Sequence, residues 1–166
     1  MKIIFLDIDG VLCTTRAHIA QGEKKKEWHM TALDREGVGL LNAIHGYDPD
    51  NTRYVLSSTW RKQYSKEYME NHLKDFGWTG QFHDDWKTNE IPRRMLQPQG
   101  FRGAEVADWL ERNEHSAYVI FDDGKDFLPN QMGNFVNTDH DYGISLGDYE
   151  KAMQILHGKK SDIYLV

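Results

Sequence analysis

The chain holds one cysteine, Cys13, among 166 residues. No intrachain disulfide can form and no zinc site can be built from cysteines, which makes the cytoplasm the natural compartment. Long apolar runs are also missing. The longest near the start, Ile3 to Leu6, is broken at once by Asp7, so it serves neither as a signal-peptide core nor as a membrane span. The working domain is therefore expected to begin at Met1. Positive charge is in deficit: a net charge of -6 argues against an extended nucleic-acid interface, whose affinity comes mainly from Lys and Arg neutralising phosphates. A small local basic patch stays open. There is no internal repeat and no low-complexity stretch beyond Lys24 to Lys26. The eight His are scattered, without the i, i+4 pair and Glu of a helical zinc site, and no Gly-x4-Gly-Lys-Ser/Thr phosphate loop occurs.

What is present suits one folded domain spanning 1–166. The length would leave two domains with thin cores. Hydrophobic residues make up 39% and charged residues 28%, and five Trp, eight Tyr and seven Phe can fill a core. Ile3 to Asp7 is short, β-branched and apolar, the pattern of a central strand covered on both faces. Similar runs follow at Tyr54 to Leu56, Tyr118 to Phe121 and, more weakly, Phe135 to Val136.

Between these runs the spacing turns helical. Leu33, Leu40, Leu41 and Ile44 share one side of a helix that Thr31 can cap and Gly46 can end. A second helix is expected from about Gln63 to Phe76, stopped by Gly77. A third gathers Val106, Trp109 and Leu110, and a fourth runs from about Leu146 to Leu156. Strands alternating with helices predict a parallel α/β sheet sandwiched by helices. Residues 13–30 and 77–102 show no clear period, and irregular segments of that length often cover a binding site.

Three clusters carry the chemistry. The first is Asp7-Ile8-Asp9-Gly10, where an apolar strand enters a turn at the sheet edge at which open α/β sheets keep their ligands. Acids at i and i+2 can project to one side, and their repulsion keeps a proton on one of them. An ionised nucleophile beside a protonated acid is what transfer of a phosphoryl group from an ester requires. An Asp-Gly turn that merely ends a strand is the alternative. The second cluster is Leu56-Ser57-Ser58-Thr59-Trp60-Arg61, a strand breaking into hydroxyls and then a cation. Ser57 is the first choice for holding phosphate oxygens, and Ser58, Arg61 and Gly10 are expected among the substrate contacts. A helix cap at Ser58 or Thr59 fits the same residues. The third is Phe121-Asp122-Asp123-Gly124-Lys125-Asp126, where three crowded carboxylates would repel without a cation. Hard oxygen ligands favour magnesium, with Asp122 the leading ligand and Asp123 or Asp126 in support. A solvated acidic turn is the alternative.

In this order, each at the end of an expected strand, the clusters resemble the motifs of the haloacid dehalogenase-like (HAD) superfamily. The resemblance implies a three-layer, Rossmann-like α/β fold. It implies that Asp7 attacks phosphorus to form an aspartyl-phosphate and that Asp9 protonates the leaving group and then activates water. Ser57 would bind the phosphoryl group. The Mg2+ would lie among Asp7, Asp9, Asp122, Asp123 and Asp126. Arg102 is the best match for the superfamily's charge-offsetting cation, where Lys is commoner, with Arg93, Arg94 and Lys87 as rivals. The pattern Leu-Ser-Ser-Thr-Trp-Arg, then Arg-Gly-Ala-Glu-Val-Ala-Asp-Trp-Leu, is similar to a branch that includes HAD domains within multidomain RNA-repair proteins.

About 45 residues separate Asp9 from Ser57, too few for a folded cap beside the expected helix, so a minimal (C0-type) cap is expected. Residues 13–30 then form a flap in which Arg16, His18, Lys24, Lys25, Lys26 and Trp28 can meet substrate or simply face solvent. The expected activity is a phosphomonoesterase acting on a nucleotide or a nucleic-acid terminal phosphate. A small sugar phosphate, a phosphoprotein, or a non-catalytic phosphate-binding role are the alternatives. Trp28, Trp60 and Trp86 can stack on a base or pack in the core.

Overall fold

The computed structural model describes residues 1–22, 32–92 and 100–159. Its centre is a five-stranded parallel sheet in the order β3-β2-β1-β4-β5. The strands are β1 (Lys2–Leu6), β2 (Thr52–Leu56), β3 (Phe82–Lys87), β4 (Ala117–Asp122) and β5 (Phe135–Asn137). The helices are α1 (Thr15–Ala20), α2 (Arg35–Gly46), α3 (Lys66–Asp75), α4 (Phe101–Arg112) and α5 (Leu146–His157).

Alternation along β1 sends its side chains into two cores. Ile4 and Leu6 join Leu41 and Ile44 of α2, Met69 and Leu73 of α3, and Met153 and Leu156 of α5. Ile3 and Phe5 face the other way, onto Val106 and Trp109 of α4. Helices on both faces of a parallel sheet make the three-layer α/β fold. Between Asp9 and Ser57 the described residues contain α1, α2, connecting turns and β2 of the central sheet, with no second sheet.

Three local expectations need correction. Helix α2 is capped by Asp34, whose carboxylate accepts the Glu36 N–H at 3.2 Å; Thr31, the expected cap, lies outside the described residues. The segment 13–30 contains α1, with Thr14 as its cap. Within 77–102 lie strand β3 and the start of α4. The polar sequence Phe-His-Asp-Asp-Trp-Lys reads poorly as a strand because β3 is an edge, paired only with β2 through an irregular register and mostly half-buried. Only the inner partner is covered by protein, so no apolar run is required.

Trp109 anchors the α4 face. Its ring is fully buried and meets Phe5 edge-on at 5.3 Å, and its indole N–H donates to the Asp85 carbonyl at 2.9 Å. Trp109→Ala is expected to cost about 3–5 kcal/mol in urea denaturation; a loss below about 1 kcal/mol would mean that this layer does not depend on the ring.

Candidate active site

The register of the sheet creates the site. Leu6 pairs with Leu56 on one side and with Phe121 on the other. The next residue of each chain is Asp7, Ser57 and Asp122, so three sequence-distant polar groups stand side by side at the carboxyl edge. The Asp7 N–H donates to the Phe121 carbonyl at 3.0 Å and the Ser57 N–H to the Leu6 carbonyl at 2.9 Å, extending both ladders to these residues.

Asp7 is buried, and its Oδ1 accepts the Ile8 N–H at 2.8 Å. One carboxylate oxygen from each of Asp7, Asp122 and Asp123 lies within 4.8 Å of the others. Such crowding in a buried place disfavours charge. Burial first, and then the neighbouring Asp122, raise the Asp7 pKa to about 8, against the opposing pull of Arg102. Burial likewise pushes Asp122 up, opposed by the Gly124 N–H that donates to its Oδ1 at 2.8 Å. Three hard carboxylate oxygens gathered this closely are a donor set that could hold a divalent cation.

Two buried polar atoms beside the acids, Ser57 Oγ and Arg102 Nη1, make no hydrogen bond among the described residues. A buried polar atom left unsatisfied costs about 1–3 kcal/mol, and the oxygens of a bound phosphoryl group are suitable partners for both. Arg102 Nε stands 3.9 Å from Asp122 Oδ2 and its Nη1 3.9 Å from Glu105 Oε2. A cavity of about 320 Å³ opens here, lined by Lys62, Phe101, Arg102 and Asp122 among others.

Several expected residues have other tasks. Asp126 does not join the carboxylate group: it accepts the N–H groups of Gly100, of Phe101 at 3.0 Å and of Arg102 at 3.4 Å. It thus caps α4 from across the site, taking up donors that a helix start leaves open, and fixes where Arg102 begins. Asp9 also stands outside the carboxylate group; both of its oxygens accept from the Trp60 indole N–H, at 3.2 and 3.1 Å. Arg61 lines the cavity but is buried and bonded to the chain itself. Its Nη1 donates to the Ser58 carbonyl at 2.7 Å and its Nε to the Thr88 carbonyl at 3.0 Å, and its Nη2 pairs with Glu105 at 2.9 Å. Gly10 spends its N–H on the Cys13 carbonyl at 2.9 Å. Its positive φ of 74° and lack of a side chain let Asp123 approach: a Cβ there would lie 2.3 Å from Asp123 Oδ2. The Ser58 hydroxyl stands near enough to Asp7 to help pull its pKa down and also accepts the Trp60 N–H at 3.3 Å, so capping and site proximity coexist in one residue.

Of the rival cations, Lys87 donates to the Arg61 carbonyl at 3.2 Å and lies over the Trp86 ring, while Arg93 and Arg94 lie outside the described residues. Among the flap residues, Arg16 pairs with Asp34 and Glu36, and His18 Nε2 is 3.5 Å from Cys13 Sγ. Lys24, Lys25, Lys26 and Trp28 are outside the described residues. Trp86 packs against Phe82 at 5.9 Å.

Sequence reasoning missed the loop after β5. The Asn137 amide donates to the carbonyls of Asp122 at 3.1 Å, Asp123 at 2.9 Å and Gly124 at 3.3 Å. Thr138 Oγ1 donates to the Gly10 carbonyl at 2.8 Å, and His140 Nδ1 lies 2.8 Å from Asp123 Oδ2. One loop therefore ties both acidic turns together. No motif marks it, because amides and hydroxyls that bond to backbone occur in many loops.

A family model described as "HAD domain in Swiss Army Knife RNA repair proteins" matches residues 3–149. No curated protein and no solved structure gives a significant match.

The raised Asp7 carboxyl has a thermodynamic consequence. A carboxyl that titrates higher in the folded chain than in the unfolded one, where its pKa is about 4, holds its proton preferentially in the fold. That contribution is complete below pH of about 4 and is lost as pH rises through about 8. In chelator, the melting temperature should fall across this window. Asp7→Asn should flatten the fall, and magnesium should raise the wild-type melting temperature most at the alkaline end. Parallel pH curves for wild type and variant in chelator would contradict the buried-proton account.

Proposed function

Because the chain belongs to the family of HAD domains found in Swiss Army Knife RNA repair proteins, we propose that it is a magnesium-dependent phosphomonoesterase working through an aspartyl-phosphate. Family membership supports HAD-type phosphatase chemistry in general. The observation that carries the finer reading is the juxtaposition of Asp7 with Asp122 and Asp123, all within 4.8 Å, beside the unpartnered Ser57 hydroxyl.

In this reading the Asp7 carboxylate attacks phosphorus. The bond from phosphorus to the ester oxygen breaks, and that oxygen takes its electron pair and a proton from Asp9. Asp9 then removes a proton from water, whose oxygen attacks the phosphoryl group and frees the Asp7 carboxylate. Ser57 Oγ and Arg102 Nη1 hold phosphoryl oxygens, and Asp126 keeps Arg102 in place through the start of α4. Asp7, Asp122 and Asp123 would hold magnesium, which when bound neutralises phosphoryl oxygens and keeps Asp7 ionised. Preorganised charge is needed, since acceleration of phosphomonoester hydrolysis reaches up to about 10²¹.

As substrate we favour a nucleotide or a nucleic-acid terminal phosphate. The described elements leave the site without a folded cap, which gives a bulky substrate access to the strand-end acids. The family description, which speaks of RNA repair, points the same way.

Phosphate release from p-nitrophenyl phosphate should require magnesium and stop in chelator. Asp7→Asn should lower turnover to background with the fold retained by circular dichroism; full activity in that variant would sink the nucleophile assignment. A screen of nucleoside monophosphates, 3′- and 5′-phosphorylated oligonucleotides and sugar phosphates should give the highest kcat/KM on the nucleotide or oligonucleotide group, and a clear sugar-phosphate preference would overturn the substrate class.

A further inference from the structure

We infer that Trp60 is a positioning residue for Asp9, holding the acid's carboxyl group in the orientation from which it serves the leaving group. The inference rests on the hydrolase reading above and goes beyond it in naming a residue that controls which esters are cleaved well. Asp9 is exposed and sits next to Gly10. Among the described residues the donor to its carboxylate is the Trp60 indole N–H, at 3.2 Å from one oxygen and 3.1 Å from the other.

That donor is itself rigid. Trp60 lies in a 3₁₀ turn, Thr59–Lys62, capped by Ser58. The buried Arg61 guanidinium ties the turn to the carbonyls of Ser58 and Thr88. The indole is almost wholly buried and packs on Tyr64 at 5.4 Å and His72 at 5.9 Å. A fixed N–H facing an exposed carboxyl selects one orientation. It leaves the remaining lone-pair sites of both oxygens for a proton and the leaving group. The same turn is capped by Ser58, which stands beside Asp7, so nucleophile and acid are referenced to one piece of backbone.

A well-placed general acid is worth roughly 10²–10⁴ in rate, and a misplacement near 1 Å costs up to about 10². The penalty falls on esters whose alkoxide cannot leave without a proton. Trp60→Phe keeps most of the apolar volume and removes the N–H. For glycerol 2-phosphate its kcat should fall about 10- to 100-fold with little change in KM, a loss at least about tenfold larger than that for p-nitrophenyl phosphate. Equal losses on both esters, or no loss on the alkyl ester, would overturn the inference. A second readout is independent of turnover: the indole ¹⁵N–¹H resonance that disappears in Trp60→Phe should shift in Asp9→Ala. An indole signal indifferent to Asp9→Ala refutes the contact. Inactivity of the wild-type chain on both esters, with an Asp9-sensitive indole, counts against the hydrolase reading while supporting the contact.

Discussion

The structure depends on one unfavourable encounter: three carboxylates, Asp7, Asp122 and Asp123, brought within 4.8 Å at the end of a buried sheet. Alone, such a group resists folding, because burial and mutual repulsion both penalise ionisation. Much of the surrounding architecture offsets it. The Ile8 and Gly124 amides donate to the two buried acids, and Arg102 stands close enough to pull both pKa values down. The imbalance that persists is the physical basis for reading the site as one built to take a cation and a phosphoryl group.

The supporting residues form a connected frame. Asp126 holds the start of α4 and so places Arg102. Arg61 locks the turn that carries Ser58 and Trp60, and Asn137, Thr138 and His140 bind the two acidic turns to each other. Each acts through backbone groups or through a second side chain, and each is reached from a different strand end. A site assembled this way is rigid where charge must be aimed, and preorganisation of that kind carries most of the electrostatic work in catalysis. Gly10 belongs to the same frame for a steric reason: any side chain there would occupy the space of the Asp123 carboxylate.

The central strands were legible because they are covered on both faces, so Ile3 to Leu6, Tyr54 to Leu56 and Tyr118 to Phe121 had to be apolar. The edge strand β3 was not, since one of its sides needs no protein cover. In the site, Asp7, Ser57 and Asp122 could be picked out by their place after apolar runs. Asp126 could not be told apart from Asp123 by spacing. Both follow Asp122 in the same turn, yet one reaches the carboxylate group and the other caps a helix whose N-cap residue, Gly100, lies 26 residues earlier in the chain. That Arg61 is buried could not be read locally, because Glu105 and the Thr88 carbonyl come from other segments and join the Ser58 carbonyl of its own turn in surrounding it.

From the amino-acid order alone came the parallel α/β class and the strand-end acids and hydroxyls, because a buried strand must be apolar and its exit must be polar. Only the tertiary structure decided which of those polar groups meet, since that turns on the in-register pairing of β1 with both β2 and β4. It also decided which polar groups are spent on the chain itself, as at Arg61, Asp126 and Gly10. Side-chain partners distant in sequence are a property of the fold, and local spacing carries no record of them.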